Sequence, residues 1–414
     1  MEILDKMEDQ RMWKEFLQYK IEKSHLSTSE RKELEDFIEK EAYIPLLEAV
    51  KSAEFCPPVP IKKEINKEGV SKKRVVYSYP PDFNILLKMT AYLLYCYDDL
   101  FADNCYAFRR NYGVRDAIRR IRRTKGISEK YCLKVDIRNY FNSMDVGILL
   151  KRLAFLKERD GRLFRMIEKL LTADLCSVNG ETVTEKRGAM AGIPISPFFA
   201  NVYLMEMDWY FARKDILYFR YSDDILIFAD TRDQLCQLQG ELYDWIESSH
   251  LQLNPAKVYI SNPGEGWEFL GFGYRDGEVD LSENTKRKIK GKIKRKAHAL
   301  RRWQAKKGLS GEKAAKGFIK AMNHKFFDDG KGMEFSWCRW FFPNLTTDTG
   351  LREIDTYMQQ YVRYCVTGRH YKGNYRISYE QMKEWGYRNL VHEYYEKEMQ
   401  NGILRSAGKE KNCP

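Results

Sequence analysis

An α+β fold of more than one domain is predicted by three features of the sequence. Short apolar runs with strand character alternate with helical stretches through the middle of the chain, without the strict repeat of a doubly wound parallel sheet. The 414 residues supply ample material for a core and fit two to four domains. Hydrophobic residues make up 43% beside 31% charged and 14% aromatic ones, a folded composition rather than that of a disordered tail. The formal charge of +12 suits a phosphate-rich partner without establishing one.

The elements follow in order. Residues 1–55 read as an N-terminal helical extension: Ser29 and Glu30 open a helix, and Cys56-Pro57-Pro58-Val59-Pro60 ends the helical pattern. VPIKKEI and KKRVVYSY then flank Asn66-Lys67-Glu68-Gly69, the pattern of a hairpin with a flexible tip. DFNILLKMTAYLLYCYDDLF reads as a helix, with Tyr97-Asp98-Asp99 at its solvated end. Arg109–Lys125, with eight basic residues and one Asp, reads as a basic helix. Asp145 fits a helix N-cap. Nine cysteines without a C-x-x-C pair argue for reduced, mostly buried thiols and against zinc. No apolar run is long enough for a membrane helix, and the acidic, helical start is unlike a signal peptide, so a cytoplasmic location and no membrane partner are expected. Neither Gly-rich nucleotide-loop pattern is present.

Chemistry concentrates in two acidic motifs 87 residues apart. In YCLKVDIRNYF, Asp136 ends an apolar strand; in YFRYSDDILIF, Ser222-Asp223-Asp224 sits at the turn of a predicted hairpin. Carboxylates gathered at strand ends repel one another unless divalent cations neutralise them, and Mg²⁺ favours a few carboxylates plus substrate phosphates. That is the requirement of two-metal phosphoryl transfer. Between the motifs, GAMAGIPISPFFANVYL runs from a Gly-rich turn into an apolar helix, with Ser196 as expected N-cap and Pro197 in the first turn. Downstream lie LQLNPAKVYI, with Lys257, and FLGF, Phe269–Phe272.

This order of motifs resembles the reverse transcriptases of the bacterial group II intron and retron lineage over roughly residues 60–275. KKRVVYSYPPDF is similar to the family's fingers motif, DIRNYF to its first carboxylate motif, GIPISPFFANVYL to its template and nucleotide turn, YSDD to its catalytic hairpin and FLGF to its primer grip. The resemblance implies a right-hand polymerase: fingers at 56–110 and 145–190, palm at 111–144 and 191–275, a basic helical thumb at 276–345 and a C-terminal helical region at 346–414. It implies Asp136 and Asp223 as catalytic metal ligands with Asp224 beside them, and two Mg²⁺ ions for which Mn²⁺ can substitute. Lys72 and Arg74 would hold the incoming triphosphate. Phe141 would lie under the sugar and exclude a 2′-hydroxyl; Gly192, Pro194 and Ser196 would form the floor beneath the nascent pair. Lys257 would donate a proton to pyrophosphate, and Phe269, Leu270 and Gly271 would grip the primer. Ala191 departs from the family's glutamine, and Ser222 stands where an RNA-making relative carries glycine.

Lys286–Lys307 holds twelve Lys/Arg and no acid. In thumb position, Lys286, Arg287, Lys290, Lys294, Arg295, Arg301 and Arg302 are expected on duplex phosphates. Trp337, Trp340, Phe341 and Phe342 fit core packing better than base stacking. The ending YRISYEQMKEWGYRNLVHEYY is similar to the tails of standalone defence-associated reverse transcriptases, which implies dNTP substrates, a cDNA product, a structured noncoding RNA as template and a role against phage. Two other readings compete: a maturase-like RNA-binding protein, and a template-independent or protein-primed DNA polymerase.

Overall fold

The computed structural model describes residues 2–24, 26–66, 73–327 and 336–400. Lys72, the hairpin tip Lys67–Gly69, Phe335 and Cys413 lie outside them. The chain packs as two units that divide between Glu265 and Gly266.

The first unit opens with helices Gln10–Ser24, Thr28–Glu39 and Tyr43–Lys51. The Thr28–Glu39 helix starts earlier than Ser29. Ser27 caps it through a reciprocal box in which Ser27 Oγ accepts from Glu30 N and Glu30 Oε2 accepts from Ser27 N at 3.0 Å. Strands β1 (Ile61–Asn66) and β2 (Lys73–Ser78) form the expected antiparallel hairpin, Asn66 opposite Lys73. They join a sheet of order β2-β1-β4-β5, with β3 (Tyr131–Asp136) elsewhere and β4 (Leu175–Val178) and β5 (Glu181–Thr184) on the outer side. The stretch predicted as one long helix divides into Pro81–Leu93 and a 3₁₀ segment, Leu94–Leu100. Asp98 is not at a solvated end: its carboxylate pairs with Arg109, whose side chain is only 4% exposed and also donates to Ala102 O and Asp98 O.

The second sheet of this unit has the order β6-β7-β3-β8, from β6 (Tyr218–Tyr221), β7 (Asp224–Ala229), β3 and β8 (Tyr259–Ser261). All its pairings are antiparallel. Directly opposed residues share a face, so the register sorts the sheet into two sides. Leu133, Val135, Tyr218, Ile225 and Ile227 belong to the main core. That core also takes Phe199 and Val202 from the Ser196–Tyr203 helix, Phe211 from Met205–Arg213 and Leu242 from Arg232–Ser248. The opposite side carries Cys132, Lys134, Asp136, Asp224, Leu226, Phe228 and Phe219. The basic helix Val114–Arg123 buries Val114, Ala117, Ile118 and Ile121 and leaves its arginines in solvent, with Arg120 over the Phe219 ring.

The second unit contains a sheet of order β11-β10-β9, from β9 (Trp267–Phe269), β10 (Phe272–Arg275) and β11 (Glu278–Leu281). Helices Glu283–Lys307, Gly311–Phe326 and Thr349–Thr367 pack on one another. The basic helix buries only Ile289, Ile293 and Ala297, a narrow seam that leaves most of its surface to cations. Trp337, Phe341 and Phe342 are buried, as core residues. The eight described cysteines are free thiols, five of them buried. Among the described residues no helix is long and apolar enough to cross a membrane.

Candidate functional site

The three acids of the two motifs meet at one end of the β6-β7-β3-β8 sheet. Asp136, the last residue of β3, is the cross-strand partner of Asp224, the first residue of β7. Asp223 lies in the two-residue turn between β6 and β7, and its carbonyl accepts from Ile137 N at 2.9 Å. Ser222, the first turn residue, has φ +61°, the backbone that favours glycine at this place in a tight hairpin. A residue held there against its preference needs outside support.

That support is a buried polar network. Asp208, on the Met205–Arg213 helix, and Arg220, on β6, are both 0% exposed and form a two-pronged ion pair, with Arg220 Nε 2.7 Å from Asp208 Oδ1 and a second bond from Nη2 to Oδ2. Tyr218 Oη donates to the same carboxylate at 2.9 Å. Arg220 Nη1 donates to Ser222 O at 3.3 Å and so ties the turn from beneath. Sequence reasoning passed over both residues. Their signal was charge set among apolar residues, Arg220 alone in LYFRY and Asp208 between Met207 and Trp209 in MEMDWYF, which calls for a buried partner.

The electrostatics of the acids are those of a crowded, dehydrated cluster. Burial, then the negative charge of Asp136, pushes the Asp223 carboxyl above its ordinary range. Burial pushes Asp224 up to about 6, against the pull of Lys134 and with Asp223 and Asp136 adding to it. Asp224 Oδ1 is buried without a hydrogen-bond partner among the described residues, where the nearest cation is Lys134 Nζ at 3.8 Å. Lys257 Nζ sits 2.6 Å from Asp136 Oδ2. Among the described residues no three Asp, Glu, His or Cys groups close into a ready-made metal cage. The donors still suit hard divalent cations: they are all carboxylate oxygens, one has no hydrogen-bond partner, and two have their charged forms disfavoured until positive charge arrives.

Around the acids, the other expected residues fall as follows. Arg74 is exposed on β2, and its charge reaches Asp223. Phe141 is half-buried, edge-on to Phe108 at 6.2 Å, and Phe108 in turn is 6.3 Å from Tyr221. Phe108 was not anticipated; it is 38% exposed with φ +58°, and nothing in YAFRRNYG announces that backbone. The Gly-rich turn lies against Phe141 and β2. A Cβ on Gly188 would stand 2.7 Å from Phe141 O, and one on Gly192, at φ +100°, 2.8 Å from Tyr77 O. Ala191 is held by its backbone, its N–H donating to Asn142 Oδ1 and its carbonyl accepting from Tyr77 N, each at 2.8 Å. Ser196 is the first residue of its helix rather than the cap. Its buried hydroxyl donates to Ala189 O and Met190 O, closing the turn back on itself, while Pro194 is half-buried within it. Arg187 was also missed: it is 4% exposed, with both Nη atoms lacking a hydrogen-bond partner among the described residues.

In the second unit, Phe269 and Phe272 pair across a two-residue turn in which Leu270 and Gly271 both have positive φ, +53° and +90°. Phe269 is buried, and Gly271 backs onto Thr285 Oγ1 and the Phe341 ring. Of the cations expected on phosphate, Lys286 and Lys290 pair with Glu353, and Arg301 donates to Cys365 O and Val366 O near the end of the Thr349–Thr367 helix. Arg287, Lys294, Arg295 and Arg302 are exposed.

Comparison with known proteins gives the family. The family model for reverse transcriptase (RNA-dependent DNA polymerase) matches residues 65–274, just over half of the chain. Retron Ec86 reverse transcriptase of Escherichia coli is 24% identical over 174 residues, 41% of this chain and 50% of that protein. Retron Ec83 reverse transcriptase of the same organism is 28% identical over 142 residues, 33% of this chain and 42% of that protein. The chain thus spans half or less of the curated relatives it matches. A structure of apo telomerase from Candida tropicalis overlaps 81% of this chain and 70% of its own with a TM-score of 0.46 at 13% identity. The fold is the α+β right-hand polymerase, and the chain belongs to the reverse transcriptase family.

Proposed function

We propose that the chain is an RNA-directed DNA polymerase that copies a structured noncoding RNA into cDNA from dNTPs. One observation carries the reading: in a chain of this family, Asp136, Asp223 and Asp224 converge at one sheet end, with Asp224 Oδ1 lacking a hydrogen-bond partner among the described residues. In this reading residues 56–110 and 145–190 are fingers, 111–144 and 191–275 palm, 276–345 thumb and 346–414 a C-terminal region. Asp136 and Asp223 would hold two Mg²⁺ ions, with Asp224 beside them and Mn²⁺ able to substitute. When bound, the ions would supply a lowered pKa at the primer 3′-hydroxyl and neutralise charge on the α-phosphate and pyrophosphate.

The chain's own side chains do the rest. Arg74, with Lys72, orients the triphosphate, and Phe141, braced by Phe108, excludes a 2′-hydroxyl. Gly192, Pro194 and Ser196 shape the floor. Lys257, already at the acids, is placed to give a proton to pyrophosphate. Phe269, Leu270 and Gly271 hold the primer end. Arg287, Lys294, Arg295 and Arg302 meet duplex phosphates, while Lys286, Lys290 and Arg301 fix the helix that carries them. A cytoplasmic role in bacterial antiphage defence belongs to the same reading, supported by the similarity of the C-terminal stretch to standalone defence reverse transcriptases and by the match to retron reverse transcriptases.

The test is primer extension on an RNA template with dNTPs and Mg²⁺. Wild type is expected to make complementary DNA, and Asp223→Asn to lose synthesis while still binding RNA. Extension retained by Asp223→Asn would overturn the site; RNA binding without synthesis by the wild type would move the reading to an RNA-binding protein.

A further inference from the structure

The Thr349–Thr367 helix ends at Gly368, φ +74°, and continues as Arg369-His370-Tyr371-Lys372-Gly373-Asn374-Tyr375-Arg376. From Thr356 to Tyr379 the chain contains no Asp or Glu, yet it carries Arg363, Arg369, Lys372, Arg376 and six tyrosines. The motifs used by the proposed polymerase lie elsewhere.

The loop is built, not slack. Asn374 is 5% exposed: its Oδ1 accepts from Thr367 Oγ1 at 2.8 Å, its Nδ2 donates to Arg369 O at 2.7 Å, and its backbone N–H donates to Tyr371 O at 3.1 Å. His370 stacks on Tyr364 with ring centres 4.8 Å apart and planes 13° from parallel, and Tyr361 meets it edge-on at 5.1 Å. Tyr364 Oη in turn bonds His298 Nδ1 at 3.0 Å. On this anchored base Tyr371 remains 49% exposed and Tyr375 70%, the latter with the Arg363 guanidinium 5.0 Å from its ring. Arg369, Lys372 and Arg376 are exposed and pair with no carboxylate among the described residues.

Rings held open on a fixed loop and interleaved with free cations match one kind of ligand. Every base has a π-face and every nucleotide a phosphate, so stacking and charge are satisfied together only by unpaired nucleotides; a duplex keeps its bases stacked inside and offers phosphates alone. A lipid surface would call for exposed Leu, Phe or Trp rather than tyrosines spaced by cations, and a protein partner, which also takes Tyr and Arg, is separated from nucleic acid by the test below. A preordered platform also loses little conformational freedom on binding.

We propose that the Arg369–Arg376 loop binds unpaired nucleotides of a single-stranded nucleic acid, with bases stacking on Tyr371 and Tyr375 and phosphates held by Arg369, Lys372 and Arg376. This rests on the reading that the chain works on nucleic acid, and its test stands apart from polymerase activity. The full chain is irradiated with a single strand of about 12 nucleotides carrying 4-thiouridine, with the matching thiothymidine DNA strand, and with the RNA as a duplex. Crosslinked peptides are mapped, and affinities are read by fluorescence anisotropy.

Crosslinks at Tyr371 or Tyr375 from single strands, absent with the duplex, are expected. The double variant Tyr371→Ala/Tyr375→Ala should weaken single-strand binding about thirtyfold or more, with primer extension at saturating template–primer unchanged. Replacing Arg369, Lys372 and Arg376 with alanine should reduce the slope of log affinity against log salt by about 2. A preference for the RNA arm assigns the site to the template or partner RNA; a preference for DNA assigns it to the product strand. Crosslinks confined to other segments, or unchanged affinity in the double variant, would overturn the proposal, and the loop would then be a protein-docking surface. Loop crosslinks from a wild type that fails to extend primers would leave this site standing and sink the polymerase reading.

Discussion

Replacing Asp208 by asparagine is the most informative single change. The substitution keeps the shape and removes one charge, leaving the Arg220 guanidinium fully buried and uncompensated. Breaking a buried pair from one side costs about 3–5 kcal/mol, most of it the desolvated charge left behind. Tyr218 Oη and Arg220 both bond this carboxylate, so the upper part of that range is expected. Against total stabilities of about 5–15 kcal/mol this is a large fraction, and for a unit of this size it corresponds to a melting point about 10 °C lower or more. The assay is urea unfolding followed by tryptophan fluorescence, with Asp208→Leu/Arg220→Met run alongside. Removing both charges should restore most of the loss, because no buried charge remains. Arg220 also holds the Ser222 carbonyl, so primer extension should stay impaired in the double variant even where stability returns. An Asp208→Asn protein within about 1 kcal/mol of wild type, or a double variant less stable than the single, would refute the argument.

Two further outcomes follow from the same geometry. Asp224 holds its proton up to about 6, above its ordinary 3.8, so between those pH values the folded state binds more protons than the unfolded one, and stability falls as pH rises through the window, by roughly 3 kcal/mol in all. Asp224→Asn should remove that slope and unfold at higher urea at pH 7; a slope unchanged in the variant would show that Asp224 is not the titrating group. Gly192→Ala should cost about 2 kcal/mol or more, since its Cβ would meet the Tyr77 carbonyl at 2.8 Å on a backbone at φ +100°, whereas Gly180→Ala, at φ +93° in open space, should cost only the backbone part, about 1 kcal/mol. Equal costs at the two positions, read by thermal melting, would remove the packing argument.

Much of the acidic centre was legible without coordinates because its parts are local. An apolar strand ending in Asp136 and a hairpin turn at Ser222-Asp223-Asp224 are patterns of period and turn chemistry, and their order along the chain carries the family resemblance. The basic helix of the second unit was legible for the same reason, as was Asp145, whose side chain accepts from Ile148 N at 2.9 Å as an N-cap should. Boundaries were less secure. The helix expected to open at Ser29 begins at Thr28 behind a Ser27 cap, and Ser196, expected as a cap, turns its hydroxyl backward to carbonyls of the preceding turn, because where a helix starts is chosen by backbone geometry several residues away.

Sequence alone determined which residue types were available for phosphate chemistry, the period of the strands that present them, and the excess of positive charge. Tertiary structure decided which charges meet. Lys257 lies beside Asp136 across 121 residues, and Arg220 bonds Cys105 across 115. Asp98 is joined to Arg109 rather than to water, and Lys286 and Lys290 are joined to Glu353 rather than left open. The reason is physical: helix and strand patterns arise from neighbours within a few residues, whereas an ion pair, a raised pKa or a bare tyrosine ring depends on what the folded chain brings alongside and which water it removes.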